Sequence, residues 1–165
     1  RATAAASIPK FSQSEDLVIV GTDGFVAHLL VLPTTTNTNF GGGLDEDTEV
    51  SDDLLGPLWA TDFIDVTSHD GRVIALGYDK SLQTFILAIP RVNQIDDPLA
   101  WATERIILPF KQVNEPSLNL EQLGTYYNYT ALAVDAESGR LHVFGKTDEP
   151  SGSMPLHLSV PLPGG

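Results

Sequence analysis

Five side chains make the best case for ligand chemistry: Trp59, Trp101, Arg105, Tyr126 and Tyr127. The two tryptophans occupy the same place in two related segments, Asp52–Asp62 (DDLLGPLWATD) and Asp96–Glu104 (DDPLAWATE). An indole stacks on the apolar face of a sugar, and the neighbouring acids with Arg105 could hold its hydroxyls. Two equivalent carbohydrate sites of lectin type would follow. The same indole also buries a large apolar surface when it packs between sheets, so core packing competes with sugar binding at both positions. Tyr126, Tyr127 and Tyr129 cluster at the start of a strand-like run. Successive strand residues face opposite ways, and an exposed tyrosine pair there would act as an interface hot spot.

Other chemistries find less support. The chain has no Cys, which excludes disulfides, thiol catalysis and thiolate metal sites. Ser151 and Ser153 lie in a Pro- and Gly-containing loop, and no Gly-x-Ser-x-Gly elbow occurs. Asp62 with Glu104 forms a repeat-related carboxylate pair, the minimum that glycoside hydrolysis needs; both recur simply because their segment recurs. His28 and His157 sit in similar runs (HLLVLP and HLSVPLP) and could face each other across a pseudo-twofold axis. His69 and His142 show no ligand spacing. The loop Asp45–Asp53 holds six carboxylates in nine residues, but it lacks the central Gly and terminal Glu of a calcium loop. Such a run repels itself and stays solvated. The expectation is a protein that is not an enzyme, with no cofactor and no metal.

The elements that position these residues repeat. Leu17–Pro33 (LVIVGTDGFVAHLLVLP), Val73–Pro90 (VIALGYDKSLQTFILAIP) and Leu141–Pro161 (LHVFGKTDEPSGSMPLHLSVP) share one plan. An apolar run ends in Gly21, Gly77 or Gly145, an Asp follows, and a second apolar run ends in Pro. Runs of this length rich in Val, Ile, Leu and Phe read as paired strands, with Gly-x-Asp as the turn and Pro closing the second strand. Phe63–Pro90 and Tyr127–Pro161 read as three-stranded meanders. Trp59 and Trp101 are placed on a strand that follows the first and second hairpins. Only Pro116–Leu123 could form a short helix. Thr34–Gly43 is a low-complexity polar loop.

The stretches GRVIALGYDKSLQTFILAIP (71–90) and GRLHVFGKTDEPSGSMPLHLSVPLP (139–163) resemble blade centres of lectin-type and regulator-of-chromosome-condensation-type β-propellers. Those blades often begin Gly-Arg-apolar and carry a turn with Asp. The resemblance covers the three hairpins. It implies an all-β fold of antiparallel blades. Three incomplete units fall short of a closed ring, so the expected architecture is antiparallel meanders packed as sheets, built from about two and a half units. These are placed roughly at 16–66, 67–110 and 126–163, in one domain spanning 14–165.

Composition narrows the partners. The 165 residues carry 9 basic and 22 acidic side chains, for a net charge of −13. That balance excludes a phosphate-binding surface for nucleic acid and disfavours an anionic membrane. No apolar run approaches the ~18 residues of a membrane-spanning helix. Residues 1–13 hold no acid and read as a flexible segment, similar to the trailing edge of an organelle transit peptide; a plastid or mitochondrial location follows as an expectation, with secretion as the alternative. The functional expectation is a structural protein whose β units associate with copies of itself or with a larger complex. The alternative is a carbohydrate-binding module.

Overall fold

A computed structural model describes residues 1–9, 15–24, 26–31, 50–51, 60–91, 100–101, 104–112, 125–149 and 151–163. The fold is all-β and antiparallel, with three sheets packed face against face. Sheet 1 runs β1 (Ala2–Pro9), β2 (Glu15–Gly21), β3 (Val26–Val31), β4 (Val50–Ser51). Sheet 2 runs β5 (Thr61–His69), β6 (Arg72–Asp79), β7 (Thr84–Ala88), β8 (Arg105–Ile107). Sheet 3 runs β9 (Lys111–Gln112), β10 (Thr125–Asp135), β11 (Arg140–Glu149), β12 (Gly152–Pro161).

The hairpins and both meanders form where the sequence places them, but the repeating unit starts one strand earlier. Residues 2–9, expected to be a flexible segment, form β1 and pair with β2 along its length. Short side chains explain it. Ala4, Ala6 and Ile8 point at sheet 2 and pack on its core, so small residues let β1 approach β5 closely. The same place is taken by β5 in sheet 2 and β10 in sheet 3.

Gly21, Gly77 and Gly145 are not turn residues. Gly77 and Gly145 lie inside their strands and Gly21 ends β2, each opposite a β-bulge in the preceding strand, at Ile64, Thr130 and Thr3. The bulge presses one strand against the other. A Cβ on Gly145 would lie 2.0 Å from the Asn128 carbonyl oxygen, and one on Gly77 2.6 Å from Thr61 Cγ2. The positive-φ work of the turns falls instead to Asp23, Gly24, Gln83 and Gly152. In the recurring Gly and Asp, the Gly therefore answers to the bulge, while Asp23 and Asp79 serve their turns.

Two cores glue the three sheets. One joins Val18, Val20 and Val26 of sheet 1 to Phe63, Val66, Val73, Ala75, Ile86 and Ala88 of sheet 2. The other joins Ile74, Leu76, Phe85 and Leu87 of sheet 2 to Tyr129, Leu141 and Val143 of sheet 3. Sheet 2 is thus covered on both faces, which is why β6 reads as an unbroken apolar run, VIAL, rather than an alternating one. Burying each such aliphatic side chain contributes about 1.5–3 kcal/mol. The sheets are closest at β1, β5 and β10, and the outer strands β3, β7 and β12 make no comparable approach to one another. They fan outward from β1, β5 and β10.

Ala100 and Trp101 are helical, and no other described residue is. The expected strand at Trp101 begins only at Arg105. Trp101 caps the first core instead. Trp59, Thr34–Gly43 and Pro116–Leu123 lie outside the described residues, as does the acidic loop apart from the β4 backbone.

Candidate functional site

The sequence-derived candidates do not converge on one site. Trp101 is fully buried and meets Phe63 edge to face, ring centroids 5.7 Å apart. No face of that indole is open to a sugar. Arg105 donates from Nη1 to Asp79 Oδ2 at 2.8 Å. Asp79 is itself buried, and its other oxygen accepts the backbone N–H groups of Ser81 and Leu82, both at 2.9 Å. Arg105 therefore ties β8 to the β6–β7 turn. Asp62 binds Lys80 at 3.1 Å, whereas Glu104 binds Arg91 at 3.3 Å, so the two carboxylates serve different ion pairs. Lys80 also bonds Asp23 at 2.8 Å; that contact holds the Asp23 carboxyl below the usual range and raises the Lys80 ammonium.

Tyr126 and Tyr127 do meet a cavity. Together with Tyr78, Phe85, Phe110, Asn128 and Asp148 they line an open cleft of about 340 Å³ between sheets 2 and 3. Its rings pack edge to face or tilted: Tyr78 on Phe85 at 5.1 Å, Phe110 on Tyr126 at 5.6 Å. Below it Tyr129 is fully buried, donates to the Pro109 carbonyl at 2.9 Å, and has its phenol pushed up to about 12, chiefly by burial.

A second candidate is a surface the sequence does not mark. The bulges fix a common register, so Gly21, Gly77 and Gly145 are equivalent. Counting back from them, Val20, Leu76 and Phe144 are equivalent, as are Val18, Ile74 and His142. Val20 pairs with Val26, Leu76 with Leu87 and Phe144 with His157. In sheets 1 and 2 these positions are buried against the next sheet; in sheet 3 Phe144 is 40% exposed, and His157 is exposed. No described sheet covers them. The rings of His142, Phe144 and His157 stack, with Phe144 and His157 4.9 Å apart at 11°, and His142 Nδ1 lies 2.8 Å from His157 Nε2. The register also corrects the pairing of His28 with His157. His28 pairs with Val18 and His157 with Phe144, the equivalent of Val20, so the two histidines sit two residues apart in the shared register.

The opposite face shows the converse. Val73 and Ala75, Leu141 and Val143 are buried against the preceding sheet. Their equivalents in sheet 1, Leu17 and Ile19, are only half-buried, and no described sheet lies on them. Among the described residues no group of three His, Cys, Asp or Glu could hold a metal ion. No helix among them is long and apolar enough to cross a membrane. Comparison with protein-family models, with curated proteins and with solved structures finds no match.

Proposed function

We propose that this chain is a non-enzymatic structural module that assembles with copies of itself through the outward faces of its outer sheets. One observation carries the reading: Phe144 stands 40% exposed at a position buried in both other sheets. A face that is core elsewhere in the same molecule has the shape to be core again. Isolated exposed apolar residues need no explanation, but a contiguous ring stack on an open sheet marks an interaction surface. The net charge of −13 opposes association of copies, so added salt strengthens it by screening. Sedimentation velocity over a range of chain concentrations tests the proposal. Mass that rises with concentration, and rises further in salt, supports it; a single species of chain mass throughout refutes it.

The aromatic cleft supports a second reading, a carbohydrate-binding module centred on Tyr126 and Tyr127 rather than on Trp101. Partly open rings beside Asn128 and Asp148 combine stacking surface with hydrogen-bonding groups, the make-up of small-ligand sites. A glycan array with Tyr126→Ala as control decides it: a hit lost in the variant supports the reading, and no hit removes it.

A further inference from the structure

The two open faces are not alike, and they are complementary. Both apolar contacts between the described sheets join the forward face of one sheet to the back face of the next. Sheet 1 presents Ala4, Ala6, Val18 and Val20 forward to Phe63, Val66, Val73 and Ala75. Sheet 2 presents Ile74, Leu76 and Leu87 forward to Tyr129, Leu141 and Val143. What remains uncovered among the described residues is one forward face, on sheet 3, and one back face, on sheet 1.

Resting on the self-assembly reading, we infer that sheet 3 of one copy docks its forward face onto the back face of sheet 1 of a second copy, head to tail. Three features of the internal sheet 1–sheet 2 contact recur on sheet 3. First, Ala131 and Ala133 take the places of Ala4 and Ala6, the small residues that let β1 approach β5; both pair with the exposed ring stack, Ala131 with Phe144 and Ala133 with His142. Second, the hydroxyl of the bulge residue Thr3 shares its one proton between the Val20 carbonyl, at 3.1 Å, and the Phe63 carbonyl of the next sheet, at 2.8 Å. Its equivalent, Thr130, bonds the equivalent carbonyl, Phe144, at 3.5 Å and is exposed. The position that matches Phe63 in sheet 1 is Ala2, at the open back face. Third, Phe144, His142 and His157 stand where Val20, Val18 and Val26 bury their side chains, opposite the place that Leu17 and Ile19 would fill.

Contacts of this kind are heterologous, and they yield a ring if the rotation closes or an open filament if it does not. Rings of radially arranged four-stranded sheets hold about four to eight. With three sheets per chain, only two copies give a number in that range. The docked form is therefore a six-sheet ring of two chains.

Complementation between two variants tests this. Phe144→Asp blocks the forward face and Ile19→Asp the back face; Thr130→Val and Leu17→Asp serve as second variants for each. All are checked for unchanged circular dichroism and thermal transition, and any that fails is replaced by its second. Wild type reaches twice the chain mass and stops. Each variant alone is monomeric, because each copy lacks one half of the contact. An equimolar mixture recovers a one-to-one dimer through the single intact contact, at least tenfold weaker than wild type. If wild type associates and neither variant disturbs it, the self-assembly reading stands and the head-to-tail contact falls. If Phe144→Asp alone dissociates it and mixing restores nothing, the contact is symmetric and the inference is wrong. A monomeric wild type removes both.

Discussion

Replacing Gly145 with Ala should damage the fold more than the same change at the equivalent Gly77. The new Cβ would sit 2.0 Å from the Asn128 carbonyl oxygen and 2.8 Å from Tyr129 Cα, about 1.4 Å short of ordinary contact at its worst point. Both obstacles are backbone, so no rotamer change relieves them. β10 must move away from β11 where Tyr129, a buried member of the second core, is anchored. Forced shifts of this kind cost about 1–3 kcal/mol and sometimes more, and a backbone obstacle puts this one near the upper end, about 3 kcal/mol. At Gly77 the nearest obstacle is the Thr61 methyl, at 2.6 Å. Gly77→Ala should therefore cost about 1–2 kcal/mol, and Thr61→Ser, which deletes that methyl, should recover part of it. Gly139, at φ +65 with nothing within 4 Å, isolates the backbone effect alone, and its Ala variant should lose about 1 kcal/mol. Urea unfolding reads all three. With a slope of roughly 2 kcal/mol per molar, Gly145→Ala lowers the midpoint by about 1.5 M. A Gly145→Ala variant within 0.3 M of wild type, or Gly77→Ala worse than Gly145→Ala, would refute the assignment of these glycines to bulge packing.

Further outcomes follow from the cores and the ion pairs. Trp101→Ala should cost about 3–5 kcal/mol by leaving a cavity against Phe63, read by thermal or urea unfolding; a neutral effect would contradict its place in the core. Arg105→Met leaves the buried Asp79 carboxylate without its cation and should cost about 2–4 kcal/mol, less than a fully buried pair because Arg105 is one-third exposed. Arg105→Met should leave association unchanged. The raised Tyr129 phenol binds its proton more tightly folded than unfolded. Its contribution is complete below pH 10, declines between pH 10 and about 12, and is gone above that. Unfolding midpoints taken across this window should fall more steeply for wild type than for Tyr129→Phe, and parallel curves would refute the burial argument.

The strands were legible because their chemistry is local. Runs such as VIAL and TFILA are β-prone and turn-bounded, and both hairpin meanders appear where they read. β1 was hard to read, since its alternating positions Ala2, Ala4, Ala6 and Ile8 are mostly alanine and carry little β signal; its placement comes from the fit of these small side chains against β5, a tertiary fact. The recurrence of Gly21, Gly77 and Gly145 was visible, but its cause was not. A glycine facing a bulge and a glycine in a turn look alike in sequence when an Asp follows either. Arg105 reads as a ligand-binding residue until Asp79 is seen to occupy it, 26 positions away. The open faces were hidden for a related reason. Phe144 and His157 differ from Val20 and Val26 only once the register makes them equivalent, and the sequence alone aligned His157 with His28.

Absolute mass of the unmodified chain, by light scattering after size exclusion over a concentration series, tests the central claim most directly. Assembly through the open faces requires a rise from 17.8 kDa to twice that value as concentration increases, complete at lower concentration in higher salt. A mass fixed at that of one chain, at every concentration and ionic strength, would contradict it.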